Sequence, residues 1–410
     1  LKILQNTSCR EILYVLVRSQ SILARLSRRR GRGGQTLFGK SASRHSNTTS
    51  ILLAFPLLLL LPALFSGCAT NPNTGNHGPS AAAATLSQGA TDLQRRPRGT
   101  AEIASLRSDI DAVMQALHAN RDGKVYSGAV EGVDPDHLAI AVALIDGRSL
   151  VAGDADERFP LMSVSKPFTY ALALEQRGAD YMLQTIGVSA TGLPYNSVTA
   201  GAVRPTSEQN PMVNAGAIAT HSHILGPDSS AKIQAVVDLY SRMANRRLAI
   251  EQAWQATPRA LTYTLAYQMQ AVDRLEGDVK DVARRYLASN IVAVRAGELA
   301  QMGATLANGG VQPLSGERVL AQETVRTVLS AMVIAGMYED SGNWWTRVGV
   351  PAKSGVSGAI VAVVPGWGAI VAYSPRLDAA GNSVRASLAI EQLVQRWRLH
   401  SIDRLLDSHD

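Results

Sequence analysis

The sequence predicts an α+β fold: an antiparallel sheet built from both chain ends, with flanking helices and a helical subdomain inserted between its two halves. Three observations carry this prediction. A strand–turn–strand pattern surrounds Asp146-Gly147, helical periodicity dominates residues 227–310, and β-rich runs broken by Gly and Pro return over Val350–Pro375.

Taken in order, "AEIASLRSDIDAVMQALHANRDG" (Ala101–Gly123) places Ile103, Leu106, Ile110, Val113, Met114 and Leu117 at helical spacing, and Gly123 ends the helix. "LAIAVALIDGRSLVAGD" (Leu138–Asp154) reads as a hairpin, because two apolar runs flank an Asp-Gly pair, the residues a two-residue turn prefers. Helical spacing resumes from Phe168 to Leu174. "SAKIQAVVDLYSRMA", "DVKDVARRYLA" and "AGELAQMGATLANGG" follow as helices, the last stopped by Gly309-Gly310. "VPAKSGVSGAIVAVVPGWGAIVAYSP" supplies consecutive strands, and "ASLAIEQLVQRWRLHSIDRLL" closes the domain as one helix.

The 46% hydrophobic and 18% charged composition of the 410 residues suits a chain able to bury a core. The formal charge of +7 comes from the front end: residues 1–50 hold ten Lys/Arg and one acid, Glu11, whereas residues 51–410 hold 30 basic and 32 acidic residues. The body therefore has no overall field for nucleic acid. The two cysteines, Cys9 and Cys68, lie outside it, which excludes a disulfide framework or a Cys-based metal site there.

"ILLAFPLLLLLPALFSGC" (Ile51–Cys68) contains an unbroken apolar run of 15 residues after Arg44 and His45. A membrane-spanning helix needs about 20, so the run reads as the hydrophobic region of a signal peptide. Its "LFSGC" end resembles a bacterial lipobox, with Cys68 as the lipidated residue and Phe65 where Leu is preferred. The expectation is an exported protein of the bacterial cell envelope, periplasmic and held to the membrane by lipid. Residues 1–50 read as a disordered extension, of the kind a start assigned too far upstream would add. Residues 69–100 are polar and small, as in a tether, and the folded domain is expected over 101–410.

Within "FPLMSVSKPFTYALALEQRG" (Phe159–Gly178), Ser163 stands three residues before Lys166 at the start of a helix. A serine hydroxyl needs a base to become a nucleophile. A lysine one turn along shares its face, and burial lowers an ammonium pKa until the neutral amine can take a proton. The same four residues also fit a solvated helix start capped by Ser163 or Ser165. The order of elements favours chemistry. A hairpin, an S-x-x-K helix, a helical block and a K-[ST]-G strand ("KSG", Lys353–Gly355) describe the serine β-lactamase and penicillin-binding fold. The N–H groups of Ser163 and of a residue just after "KSG" are then placed to form an oxyanion hole.

Longer segments narrow the reading. "SVSKPFTYALALEQRG", "LPYNSV", "NPMVNAGAI" (Asn210–Ile218), "GATLANGGVQPLSGERVL", "GMYEDSG" (Gly336–Gly342), "VGVPAKSGVSGAIVAVVPG" (Val348–Gly366) and "SPRLDAAGNSVR" resemble, in order, segments of the serine-dependent glutaminases. The resemblance implies a β-lactamase-like fold and hydrolysis of the side-chain amide of glutamine to glutamate and ammonia, with no metal or organic cofactor. It implies Ser163 as nucleophile, Lys166 as base and Tyr338 as proton carrier. It further implies Asn214, Tyr286 and Tyr126 as substrate contacts, and the N–H of Val356 as a donor to the amide oxygen. A small-molecule amide is the expected partner, and self-association is usual in such a family.

One segment departs from the pattern. Where the family carries a glutamate for the substrate α-amino group and an asparagine for the carboxylate side, this chain has "WQATPRALTYTLAYQM" (Trp254–Met269). It contains no Glu, Asp or Asn. Pro258 falls where the glutamate is expected and Thr262 where the asparagine is. Asp273 and Glu276 are nearby acids available to substitute. The departure leaves two further readings open: an exported serine amidase acting on another amide, a β-lactam or cell-wall peptide, or a binding lipoprotein that keeps the fold without turnover.

Overall fold

The computed structural model describes residues 100–126, 132–197, 209–254 and 259–407. In chain order these form α1 (Thr100–Leu117), β1 (Lys124–Val125), β2 (Ala139–Leu144), β3 (Ser149–Gly153), β4 (Phe159–Pro160), α2 (Lys166–Arg177), α3 (Ala179–Thr185), α4 (Asn214–Ser222) and α5 (Ser229–Ala244). Next come β5 (Ala249–Ile250), α6 (Arg259–Gln270), α7 (Val279–Asn290), β6 (Val292–Val294), α8 (Ala296–Ala307), α9 (Gln322–Ala335) and α10 (Ser341–Arg347). The series ends with β7 (Ala352–Ser354), β8 (Ala359–Val364), β9 (Gly368–Tyr373), β10 (Arg376–Leu377), α11 (Val384–Arg396) and α12 (Ser401–Leu406). The leader, Cys68, the tether up to residue 99 and Pro258 lie outside the described residues. Among the described residues no helix is long and apolar enough to cross a membrane.

The central sheet has the order β3-β2-β9-β8-β7, and every neighbouring pair is antiparallel. It joins the early hairpin to the late strands, so both halves of the domain are needed to complete it. All residues of β2, β8 and β9 are buried, which is why these strands read as unbroken apolar runs without polar alternation. Alternate side chains feed two cores. Ala141, Ala143, Val361, Val363 and Val371 pack with the helical block, and Ile140, Val142, Ile360, Ala362 and Ile370 pack with α1 and α11. Gly303 of α8 lets that helix press on the sheet, since a Cβ there would lie 2.6 Å from Ala369 Cβ and 2.8 Å from Val361 Cγ2.

Three expected elements differ in detail. Helix α1 stops at Leu117, and Gly123 sits instead in the turn into β1 with φ +89°, so close to Leu377 that a Cβ would be 2.6 Å from its carbonyl oxygen. The Asp146-Gly147 connection is wider than two residues. The Asp146 carboxylate accepts the Arg148 N–H at 3.1 Å and pairs with its guanidinium at 2.7 Å, which holds residues 145–148 in the turn. The closing helix is two helices. Arg398 turns left-handed (φ +51°), the Leu399 N–H returns to Val394 O at 2.9 Å, and His400 Nδ1 accepts from the Ile402 N–H to start α12. His400 packs on Gly349, where a Cβ would lie 2.1 Å from the ring.

Candidate active site

Ser163 lies where a short strand ends and a helix begins. β4 is pinned to β6, then Met162 adopts φ +46° and opens a single 3₁₀ turn, Met162–Ser165, that runs into α2. The Lys166 N–H donates to Ser163 O, which sets the two residues one turn apart. Ser163 is only 8% exposed and Lys166 2%. Neither Ser163 nor Ser165 caps the helix. Ser165 makes no capping bond, and its hydroxyl instead lies 2.7 Å from Met162 O and 3.1 Å from Asn290 Oδ1.

Lys166 Nζ donates to Asn214 Oδ1 at 2.7 Å and to Met212 O at 3.4 Å. Among the described residues no carboxylate pairs with it. Burial pulls its pKa from the ordinary 10.5 down to about 7. Asn214 begins α4, where its own N–H is fixed to Tyr195 O at 2.9 Å, and its Oδ1 also accepts from the Tyr286 hydroxyl at 3.3 Å. Burial raises the Tyr286 pKa to about 12, so this phenol stays a donor. The His221 ring stands edge-on to Tyr286 at 5.8 Å and contacts Ser289 Oγ at 3.1 Å, and burial takes its pKa to about 3, so it braces Tyr286 as a neutral group.

Tyr338 comes from the opposite side, in a 3₁₀ turn after α9. Its hydroxyl donates to Ser354 O at 2.9 Å and lies near the Ser163 side chain. Burial holds its pKa well above the usual phenol range, so it keeps its proton until a stronger base forms beside it. Tyr338 has φ +57°. A left-handed non-glycine residue costs about 1–3 kcal/mol and persists only where packing holds it. Here Met162 and Tyr338 both adopt it, on either side of the serine. Tyr195 stacks on the Tyr338 ring (4.2 Å, tilted 32°), and the fully buried Lys353 places Nζ 4.0 Å from the same ring while donating to Gly336 O (2.9 Å) and Ser354 O (2.6 Å). Burial first, and then the charge of Lys166, drives the Lys353 pKa well below the lysine range.

Val356 follows Gly355 at the end of β7. A Cβ on Gly355 would lie 2.9 Å from Val164 Cγ2 and 3.1 Å from Leu161 O, so glycine allows β7 to approach the serine turn. Among the described residues no main-chain carbonyl accepts from the N–H of Ser163 or of Val356, which leaves both donors for a substrate oxygen. Val356 packs with Met162, Leu377 and Tyr126. Tyr126 is half-buried, its pKa raised by burial, and it lines with Tyr195, Glu339 and Val356 a cleft of about 930 Å³.

Lys166, Asn214 and Tyr286 thus form one buried hydrogen-bonded group, Ser163 is tied to it through the Lys166 N–H, Tyr338 is buried near the serine, and Val356 and Tyr126 connect the site to the cleft. Tyr195, Lys353 and the left-handed Met162 belong to the same assembly but had no role assigned from sequence. "LPYNSV" and "KSG" were the available signals, and they mark segments without revealing stacking or burial. The suggested substitutes do not serve. Glu276 is held by Tyr181 (2.8 Å), Arg177 (3.3 Å) and His223 (3.5 Å) at the far end of α2. That end is about 16 Å of helix from Lys166. Asp273 sits in a left-handed turn after α6 and does not line this cleft. Thr262 is buried in α6.

The chain is similar to several known proteins. The family model described as Glutaminase matches residues 124–402. The glutaminase of Colwellia psychrerythraea is 40% identical over 296 residues, covering 71% of this chain and 95% of the relative. That of Corynebacterium efficiens is 37% identical over 309 residues, covering 73% and 72%. Among solved structures, the protein described as Probable glutaminase ybaS superposes with a TM-score of 0.69 at 35% identity, over 72% of this chain and 97% of that one. Mglu in its glutamate form gives a TM-score of 0.65 at 36% identity, over 70% and 68%.

Proposed function

The chain belongs to the glutaminase family and hydrolyses the side-chain amide of L-glutamine to L-glutamate, and from that premise we propose that Ser163 carries the acyl group and Lys166 its proton. One observation bears most of this reading: the Lys166 amine is buried against a neutral amide oxygen, Asn214 Oδ1, and so loses its charge near pH 7. Ser163 Oγ attacks the amide carbon as its proton passes to Lys166. The oxygen that becomes negative is held by the N–H groups of Ser163 and Val356. Collapse expels ammonia, with the Tyr338 hydroxyl relaying a proton to the leaving nitrogen. Water then attacks the ester, gives up a proton by the same route, and releases glutamate with Ser163 restored. Asn214 and Tyr286 contact the substrate, as the resemblance implies, and also orient Lys166, and Tyr126 contacts substrate from the cleft. The test is ammonia release from glutamine, which Ser163→Ala abolishes if the reading is correct and leaves intact if another residue is the nucleophile.

Export and anchoring extend the reading. The apolar run Ile51–Phe65, followed by Ser66-Gly67-Cys68, supports a lipid on that cysteine. Cys68→Ala is then expected to move the protein from the membrane fraction to the soluble one. Self-association rests on the family resemblance, and sedimentation of the folded domain tests it.

A further inference from the structure

Glutamine is a zwitterion, so its α-ammonium needs an acceptor, and the segment Trp254–Met269 contains no acid. Among the described residues, the charged ones lining the cleft at Val356 are Lys124, Glu339 and Asp378. Asp378 is committed to its own loop, because its Oδ1 accepts from the Ala380 and Asn382 N–H groups, each at 2.9 Å. Glu339 is differently placed. It follows Tyr338 directly in the chain, its side chain is exposed to the cleft, and one oxygen, Oε1, is steadied by the Tyr195 N–H at 3.0 Å. That bond ties the carboxylate to the tyrosine stacked on Tyr338 and leaves Oε2 to accept from a cation.

We propose that Glu339 is the specificity residue of this site, receiving the α-ammonium of glutamine while the side-chain amide lies at Ser163. The proposal rests on the glutaminase reading above and adds to it the group that selects an amino acid over a simple amide. It follows that the site distinguishes glutamine from glutaramate, which has the same amide and carboxylate but no α-amino group. A charge-assisted hydrogen bond at an exposed carboxylate corresponds to about a tenfold difference in kcat/KM, expressed chiefly in KM.

The experiment compares kcat and KM for both amides in the wild type, Glu339→Gln, Glu339→Asp and Asp378→Asn. Glutamine keeps an oxygen for the Tyr195 N–H, so Glu339→Gln removes charge without removing that anchor. The expected result is a wild-type preference for glutamine that collapses in Glu339→Gln, with KM for glutamine raised and the values for glutaramate little changed, and that is partly retained in Glu339→Asp. Equal losses on both amides in Glu339→Gln would mark a merely structural role and overturn the proposal. So would an unchanged preference, a wild type without preference, or collapse in Asp378→Asn alone. A wild type that releases ammonia from neither amide would overturn the glutaminase reading itself, a result separate from activity without discrimination.

Discussion

A side-chain amide holds Lys166: its Nζ lies 2.7 Å from Asn214 Oδ1, in a site where the same oxygen also accepts from Tyr286. A neutral acceptor stabilises an amine without restoring the ammonium as a carboxylate would. Asn214→Asp keeps the shape and adds the charge. An anion at this distance favours the protonated lysine and raises its pKa by about 1–3 units. The acid limb of the kcat/KM profile is therefore expected to move above pH 7, with a loss of activity at neutral pH that is recovered in alkaline buffer. A pH series on wild type and variant checks this.

Removing the amine altogether separates activity from stability. Lys166→Met is expected to lower kcat by about 10²–10⁴, the usual contribution of a positioned base. It is also expected to stabilise the fold. The folded-state pKa of Lys166 is depressed, to about 7 from 10.5, so the unfolded chain binds more protons across that interval. The wild type then carries its full penalty below about pH 7 and sheds it as pH rises towards 10.5. Denaturant melts at several pH values should show the variant most favoured in acid and the difference narrowing with alkalinity.

Tyr338→Phe deletes the hydroxyl between Ser163 and Ser354 O while keeping the ring that Tyr195 and Lys353 contact. The expected stability loss is about 1 kcal/mol, one buried hydrogen bond. The expected fall in kcat is about 10²-fold, because the leaving nitrogen loses its proton donor. Steady-state kinetics beside a denaturation curve distinguishes this from a folding defect.

Gly355→Ala sets a Cβ 2.9 Å from Val164 Cγ2 and 3.1 Å from Leu161 O. The strand end must retreat from the serine turn, carrying the Val356 N–H with it. Loss of one oxyanion donor typically lowers kcat by about 10²–10³-fold. Val164→Ala in the same chain is expected to restore part of the rate, since it removes the nearer of the two obstacles. Absence of any rescue would indicate that the strand position is not what the glycine protects.

Much of this was legible in the sequence, and the illegible remainder has a common cause. Apolar runs around Asp146-Gly147 and after "KSG" identified the sheet, because β2, β8 and β9 are buried on both faces and carry no polar alternation to confuse the pattern. Ser163 and Lys166 were readable because one helical turn fixes their relation locally. The width of the Asp146-Gly147 turn and the break at Arg398 were not, since both depend on side chains turning back on the chain. Met162 and Tyr338 are left-handed without being glycine, a conformation imposed by tertiary packing. Lys353 has the composition of a surface residue and is fully buried. Glu276 looked available by its distance along the chain, yet Arg177, Tyr181 and His223 hold it at the other end of α2.

The dependence of kcat/KM for glutamine on pH in the wild-type domain tests most directly whether an uncharged Lys166 activates Ser163. The expected profile rises as the pH passes through about 7 and levels off above it, as the free-enzyme amine loses its proton. A rate that does not change across that interval would contradict the account, because the base would then be a group other than Lys166.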